Sequence, residues 1–314
     1  LAQSKEQQDI MLKAYSKAKN IITNSKWLDE KLNKSYKVKT LGWVRPGYDS
    51  DTFYSRDRKK GDERPTVLFN LSPGYAVKGL DRGIETANAL HKLAAKENFE
   101  LRIMAYGVLQ VVSSAYITCL GTIPQVQLAN ILGSEVDVFC DPSYNHSYGL
   151  PALEAMASNV IAISWDNLGV REYGDPDFII PNTATPEEMA NKIFSILKNK
   201  TTIKAIAPAD QTRENGINNY ITLLEKSLKL TSKPKRIVVI SPHLRKYGGP
   251  TTIVNLANIL QKAGHNTTLH LVYTDINPEI ERMCETPIHV NYKVIPEADI
   301  LITNSDNPYN EFFN

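Results

Sequence analysis

The chain has 314 residues, of which 42% are hydrophobic and 22% charged, an ordinary globular composition in a length that exceeds the usual single domain, so two domains are expected. No run approaches the roughly 20 apolar residues that span a bilayer, and a formal charge of +2 is too small to imply a nucleic-acid partner. Cys119, Cys140 and Cys284 are too few and too scattered for a disulfide framework or a spaced zinc site, which fits a reducing cytoplasm.

The opening residues, LAQSKEQQD, lack the charged-then-apolar order of a signal peptide, and the initial Leu suggests a sequence that begins mid-protein. A helix, the strand NIITNS and a second helix lead to a linker, VRPGYDSDTF. The basic run Arg56, Arg58, Lys59, Lys60 offers a peripheral contact with an anionic membrane surface, against the simpler reading of a solvated loop. The β-branched runs TVLFNLS, LRIMAYG, YITCLG, VDVFCDPS and VIAISW then alternate with helical patterns. This βαβ periodicity, with strands apolar on both faces, predicts a doubly wound parallel sheet.

The helix GINNYITLLEKSLKL runs into the polar stretch TSKPK, and the strand RIVVISPH starts a new unit. A glycine-containing turn at Lys246–Pro250, the helix TTIVNLANILQKAG and the strand NTTLHLVY follow, the order in which a Rossmann domain opens. Only 80 residues remain after Pro234, too few to complete one. AKNIITNSKWLDEKL and ADILITNSDNPYNEFF resemble each other, either as a true repeat or as edge strands of one domain whose sequence is split.

The stretch DPSYNHSYGLPALEAMASNVIAIS, Asp141 to Ser164, resembles the donor-site signature of retaining GT-B glycosyltransferases of the family 4 type. The resemblance extends over roughly residues 40 to 230, through VLFNLSPGYAVKGLDRGIETANAL, CLGTIPQVQLANILGSEVDVF and DNLGVREYG, while RPGYDSDTFY looks like the interdomain crossover. RIVVISPHLRKYGGPTTIVNLANIL looks like the opening of the acceptor-side domain. The resemblance implies an α/β fold of the GT-B type, two Rossmann-like doubly wound parallel-sheet domains facing a cleft. Residues 46–230 would bind the donor; 1–45 would close, and 235–314 would open, the acceptor-side domain, in rotated order or as a piece of tandem modules.

What the resemblance implies about chemistry is a sugar moved from a nucleotide-diphosphate donor to a hydroxyl of a glycan, lipid or protein acceptor, with retention of configuration and with neither a metal nor a cofactor. Lys78 occupies the position of the family's lysine, placed to stabilise the leaving phosphate. An arginine usually found a few residues earlier is replaced here by Ser72 or Pro73, so charge would have to come from Lys78, loop amides, or Arg245 or Lys246. His146 stands eight positions before Glu154, where the family commonly has a glutamate, and is a candidate for the sugar hydroxyls or the phosphate. Ser147, Tyr148, Gly149 and Leu150 would present backbone amides, and Pro151 suits a first helical turn. Glu154 corresponds to the glutamate that accepts both ribose hydroxyls. Gly121, Thr122 and Ile123 match the stretch that meets the nucleobase, Glu172 borders the phosphate region, and Gly248 and Gly249 are candidates for donor-phosphate amides. Two alternatives are a sugar-nucleotide-binding subunit that has lost catalysis and a nucleotide-sugar epimerase. No Ser/His/Asp triad, P-loop or complete G-x-G-x-x-G fingerprint supports a hydrolase, kinase or dehydrogenase.

Overall fold

Strands without a polar face need cover on both sides, and Thr66–Asn70 and Val138–Asp141 are buried at every position. The computed structural model describes residues 21–57, 64–72, 76–107, 115–199, 207–228, 234–241, 244, 248–271, 276–290 and 300–303. These divide into two compact units, Ile22–Lys37 with Gly42–Tyr220, and Ile21 and Val38–Leu41 with the described residues from Ile221 onward.

The first unit begins with β1 (Ile22–Thr23), α1 (Lys26–Ser35) and β2 (Gly42–Trp43), the two strands pairing in parallel. Its main sheet follows: β3 (Thr66–Asn70), α2 (Leu80–Lys96), β4 (Arg102–Tyr106), β5 (Ile117–Cys119), α3 (Gln125–Glu135), β6 (Val138–Asp141), α4 (Leu150–Ala157), β7 (Ile161–Trp165) and β8 (Ile179–Ile180). Helices α5 (Pro186–Lys198) and α6 (Arg213–Leu228) complete the series, the unit boundary falling within α6. All six strands are parallel, in the order β5-β4-β3-β6-β7-β8. That is the doubly wound Rossmann order, in which crossovers lead away from a central pair in opposite directions. Helix α2 packs on α5, whose start is fixed by a capping box between Thr185 and Glu188 and by Pro186 in the first turn.

The stretch expected to be a linker is tied down. Tyr48 accepts from Arg213 and donates to the Gln211 carbonyl at 2.9 Å, Arg213 pairs with Asp49 at 3.0 Å, and Phe53 is buried. Arg56 is likewise no free membrane-facing charge: its guanidinium lies over the Tyr54 ring and donates to the carbonyls of Thr52, Tyr54 and Ala129. Arg58, Lys59 and Lys60 lie outside the described residues.

In the second unit β9 (Arg236–Ser241), α7 (Gly248–Lys262), β10 (Asn266–Leu271), α8 (Pro278–Arg282), β11 (Ile288–Val290) and β12 (Ile300–Thr303) form a parallel sheet in the order β11-β10-β9-β12. Helix α7 packs on β9 and β10 and buries Ile253, Val254, Leu256, Ala257 and Leu260, a helical stripe. Gly248 and Gly249 are the first residues of this helix and not a turn before it, while Arg245 and Lys246 lie outside the described residues. The two similar segments supply strands of different sheets, β1 beside β2 and β12 beside β9.

Gly79, which caps α2, has φ +65°, and a Cβ there would stand 1.9 Å from the Pro142 carbonyl oxygen. Left-handed strain and a backbone overlap therefore act together, and Gly79→Ala should cost about 2–4 kcal/mol. Thermal denaturation should show a fall of about 5 °C or more; an unchanged midpoint would contradict this contact.

Candidate functional site

In a doubly wound sheet the crossovers part at the switch point, leaving a crevice outside the carboxyl ends of the strands that flank it. Here those strands are β3 and β6, and the loops at that edge are fastened to one another. The Tyr144 amide donates to the Val77 carbonyl at 2.8 Å, the Gly107 amide to the Gly121 carbonyl at 2.8 Å, and the His146 amide to the Asn167 carbonyl at 2.9 Å. Ser72 follows β3, Lys78 closes the 3-10 turn Ala76–Lys78, and Gly121 to Ile123 follow β5. The Lys78 ammonium has no hydrogen-bond partner among the described residues, and Pro73 lies outside them.

Helix α4 opens at this edge. Its cap, Gly149, has φ +93°, no side chain caps it, and its first turn holds Leu150 and Pro151 but no acidic residue. The side-chain-free helix start and the positive end of the helix dipole suit an anion. Glu154, one turn in, is partly buried and receives one long hydrogen bond, 3.3 Å, from Gln125 Nε2 at the start of α3. Burial pushes its carboxyl up to about 7, against the Gln125 bond and with a small contribution from Asp49. Such a carboxylate has capacity left for further donors.

Asp141 ends β6 with no exposure, and His146 Nε2 lies 3.0 Å from its Oδ2. Beside it Arg82, in the first turn of α2, is a buried cation. Its guanidinium is sandwiched between Tyr144, at 3.6 Å, and Trp165, at 4.3 Å, and donates to the Pro142 carbonyl and to Asn182 Oδ1. Arg82 thereby joins the exits of β6, β7 and β8. Burial lowers its pKa to about 10, leaving it charged at neutral pH. Neither Asp141 nor Arg82 stands out in the sequence as a site residue. The signal for Asp141 was chemical, a charge at the end of an otherwise apolar strand.

Other candidates have their polar groups occupied. Ser147 Oγ accepts from Asn24 Nδ2 at 2.9 Å and its carbonyl from Trp27 Nε1 at 2.7 Å. The Glu172 carboxylate accepts the Trp27 amide at 3.1 Å and pairs with Arg45 at 3.5 Å, so both residues hold the start of α1. The Tyr148 ring is buried against Tyr173 and its hydroxyl donates to Gln211, placing that side chain in the core. Between His146 and Glu172, Leu168 adopts φ +70° and ψ −50° while the Gly169 amide donates to the Asn167 carbonyl at 2.9 Å. This is a γ-turn on a non-glycine residue, a strained conformation of the kind found where loops shape a site.

The model of the family "Glycosyl transferases group 1" matches residues 54–218, a span that holds the six-stranded sheet and its loops. Among solved structures, the chain is similar to sucrose-phosphate synthase from Thermosynechococcus elongatus, at 20% identity over 72% of this chain and 61% of that one, with a TM-score of 0.52. It is also similar to the pneumococcal O-GlcNAc transferase GtfA in complex with UDP and GlcNAc, at 17% identity over 70% and 47%, TM-score 0.54. A glycosyltransferase from Rickettsia africae shares 16% identity over 70% and 68%, TM-score 0.53. At these identities the likeness is one of fold, and the chain spans less than two thirds of the first two. No curated protein matches the chain by sequence. Among the described residues no helix is long and apolar enough to cross a membrane.

Because the folded Glu154 carboxyl ionises near 7 against an ordinary 4.5, its protonated form favours folding. That contribution is complete below 4.5 and is lost as the pH rises through about 7. Glu154→Gln should therefore stabilise the unliganded protein at about pH 8 by about 1–3 kcal/mol, and flatten the decline above pH 4.5. Thermal denaturation across this range checks it; superimposable pH curves would contradict the assignment.

Proposed function

We propose, from the premise that this chain belongs to the group 1 glycosyl transferases, that it moves a sugar from a nucleoside-diphosphate donor to a hydroxyl acceptor with retention of configuration. One observation carries the reading. A half-buried carboxylate with unused acceptor capacity, Glu154, lies one turn inside the uncapped start of α4, at the switch point of a Rossmann sheet. The carboxylate suits paired ribose hydroxyls and the helix start suits the diphosphate.

In the proposed reaction the bond between the anomeric carbon and the distal phosphate oxygen breaks. The acceptor oxygen bonds to that carbon on the same face, and its proton passes to the departing phosphate. Negative charge grows on that phosphate, so Lys78 and the α4 amides lower the barrier by stabilising it, without a bound metal or cofactor. The four-stranded parallel order of β9 to β12 supports assigning residues 235–314 to the opening of an acceptor-side domain. The acceptor itself belongs to the class of glycan, lipid or protein hydroxyls. A second reading, a sugar-nucleotide-binding subunit without turnover, draws on Ser72 standing where the resemblance leads one to expect an arginine, and on Arg82 being engaged within the protein.

A thermal-shift screen of UDP, GDP, ADP and TDP sugars should raise the midpoint for one nucleotide class, because a ligand of the native state stabilises it by mass action. Calorimetry should then show at least about tenfold weaker nucleotide binding in Glu154→Ala, a loss of about 1.4 kcal/mol or more. Lys78→Ala should depress turnover about 100-fold. A flat screen, or unchanged affinity and rate in both variants, would contradict the reading; binding without turnover on any acceptor would favour the second.

A further inference from the structure

A carboxylate closed off from water is costly unless its oxygens are satisfied. Asp141 is fully buried at the end of β6, and both of its oxygens are engaged: Oδ1 accepts the Ser143 amide at 3.1 Å and Oδ2 faces His146 Nε2 at 3.0 Å. Burial pushes this carboxyl up, but attraction to His146 and the hydrogen bonds from His146 and Ser143 outweigh it and hold the group down at about 2. Asp141 is therefore ionised and can only accept.

That fact dictates which imidazole nitrogen carries hydrogen. The nitrogen facing a carboxylate must carry hydrogen, so in the neutral ring Nε2 is the donor and Nδ1 keeps the lone pair. The ring is held from two directions. Its backbone amide is bonded to the Asn167 carbonyl and the residue bridges to Leu168 in the strained turn after β7, while Nε2 is bonded to the end of β6. The side chain is 10% exposed, and Nδ1 has no hydrogen-bond partner among the described residues.

We propose that Asp141 is a positioning residue, which locks His146 as the Nε2–H tautomer so that Nδ1 accepts a hydrogen bond from a hydroxyl of the donor's sugar. This rests on the nucleotide-sugar reading. Asp141 carries the charge but is sealed in the core; His146 carries the acceptor to the loop surface.

The direct test is long-range proton–nitrogen NMR on the unliganded full chain labelled with 15N-histidine, at about pH 8, the His146 signals being assigned by their loss in His146→Gln. The expected spectrum is a neutral ring protonated at Nε2, with Asp141→Asn giving a tautomer mixture. An Nδ1–H ring, a doubly protonated ring, or an Asp141→Asn spectrum identical to wild type would overturn the proposal. Should Asp141→Asn not fold, the wild-type spectrum decides by the same criteria. Binding supplies the second readout. Asp141→Asn should lose about tenfold affinity for the nucleotide sugar while binding the bare nucleoside diphosphate within about twofold of wild type. Equal losses for both would mark a merely structural role and overturn it. Failure of wild type to bind any nucleoside diphosphate would instead sink the donor reading, and is distinguishable because the tautomer is read without ligand.

Discussion

Crossovers that leave β3 and β6 in opposite directions cannot cover the carboxyl ends of those two strands, and the candidate site of the first unit depends on that gap. The uncapped α4 amides, the turn carrying Lys78 and the Glu154 carboxylate reach this edge because the strands beneath them are parallel. An antiparallel arrangement would scatter the same residues over both ends of the sheet.

Buried polar groups join buried loop side chains such as Leu71, Tyr148, Val170 and Tyr173 in holding the gap in shape. Arg82 is one of them. Flanked by two aromatic rings and bonded to the Pro142 carbonyl and Asn182, it couples three strand exits to the start of α2. Asp141 and His146 tie the β6 exit to itself, and Asn167 ties it to β7 through the His146 amide. Losing one partner would strand a buried charge, so these contacts give the loops a single arrangement more than they add net stability.

Much of the fold was legible in the sequence because parallel, doubly covered strands leave a strong signal. TVLFN and VIAIS read as apolar on both faces; Thr66–Asn70 is buried at every position and Ile161–Trp165 at all but Ala162. The placement of candidate residues was legible within a single segment, as with Gly149 and Glu154 around the start of α4. It was not legible where the partner lies far along the chain. Glu172 bonds Trp27 and Ser147 bonds Asn24, pairings across more than a hundred residues that periodicity cannot report. Asp141 and His146 are only five positions apart, yet a strand end and a loop meet there by a reversal of the chain that spacing alone does not encode. Arg82 reads as an ordinary helix-surface cation until Tyr144 and Trp165 are folded around it.

The central claim is that a nucleoside diphosphate occupies the crevice outside β3 and β6. Hydrogen–deuterium exchange of the full chain with and without a saturating nucleotide sugar tests it most directly, because amides that bond phosphate or lie beneath a bound ligand slow their exchange. Slowed exchange confined to residues 76–79, 121–125 and 141–154 is the expected result. Slowed exchange only outside those segments, from a ligand that demonstrably binds, would contradict it.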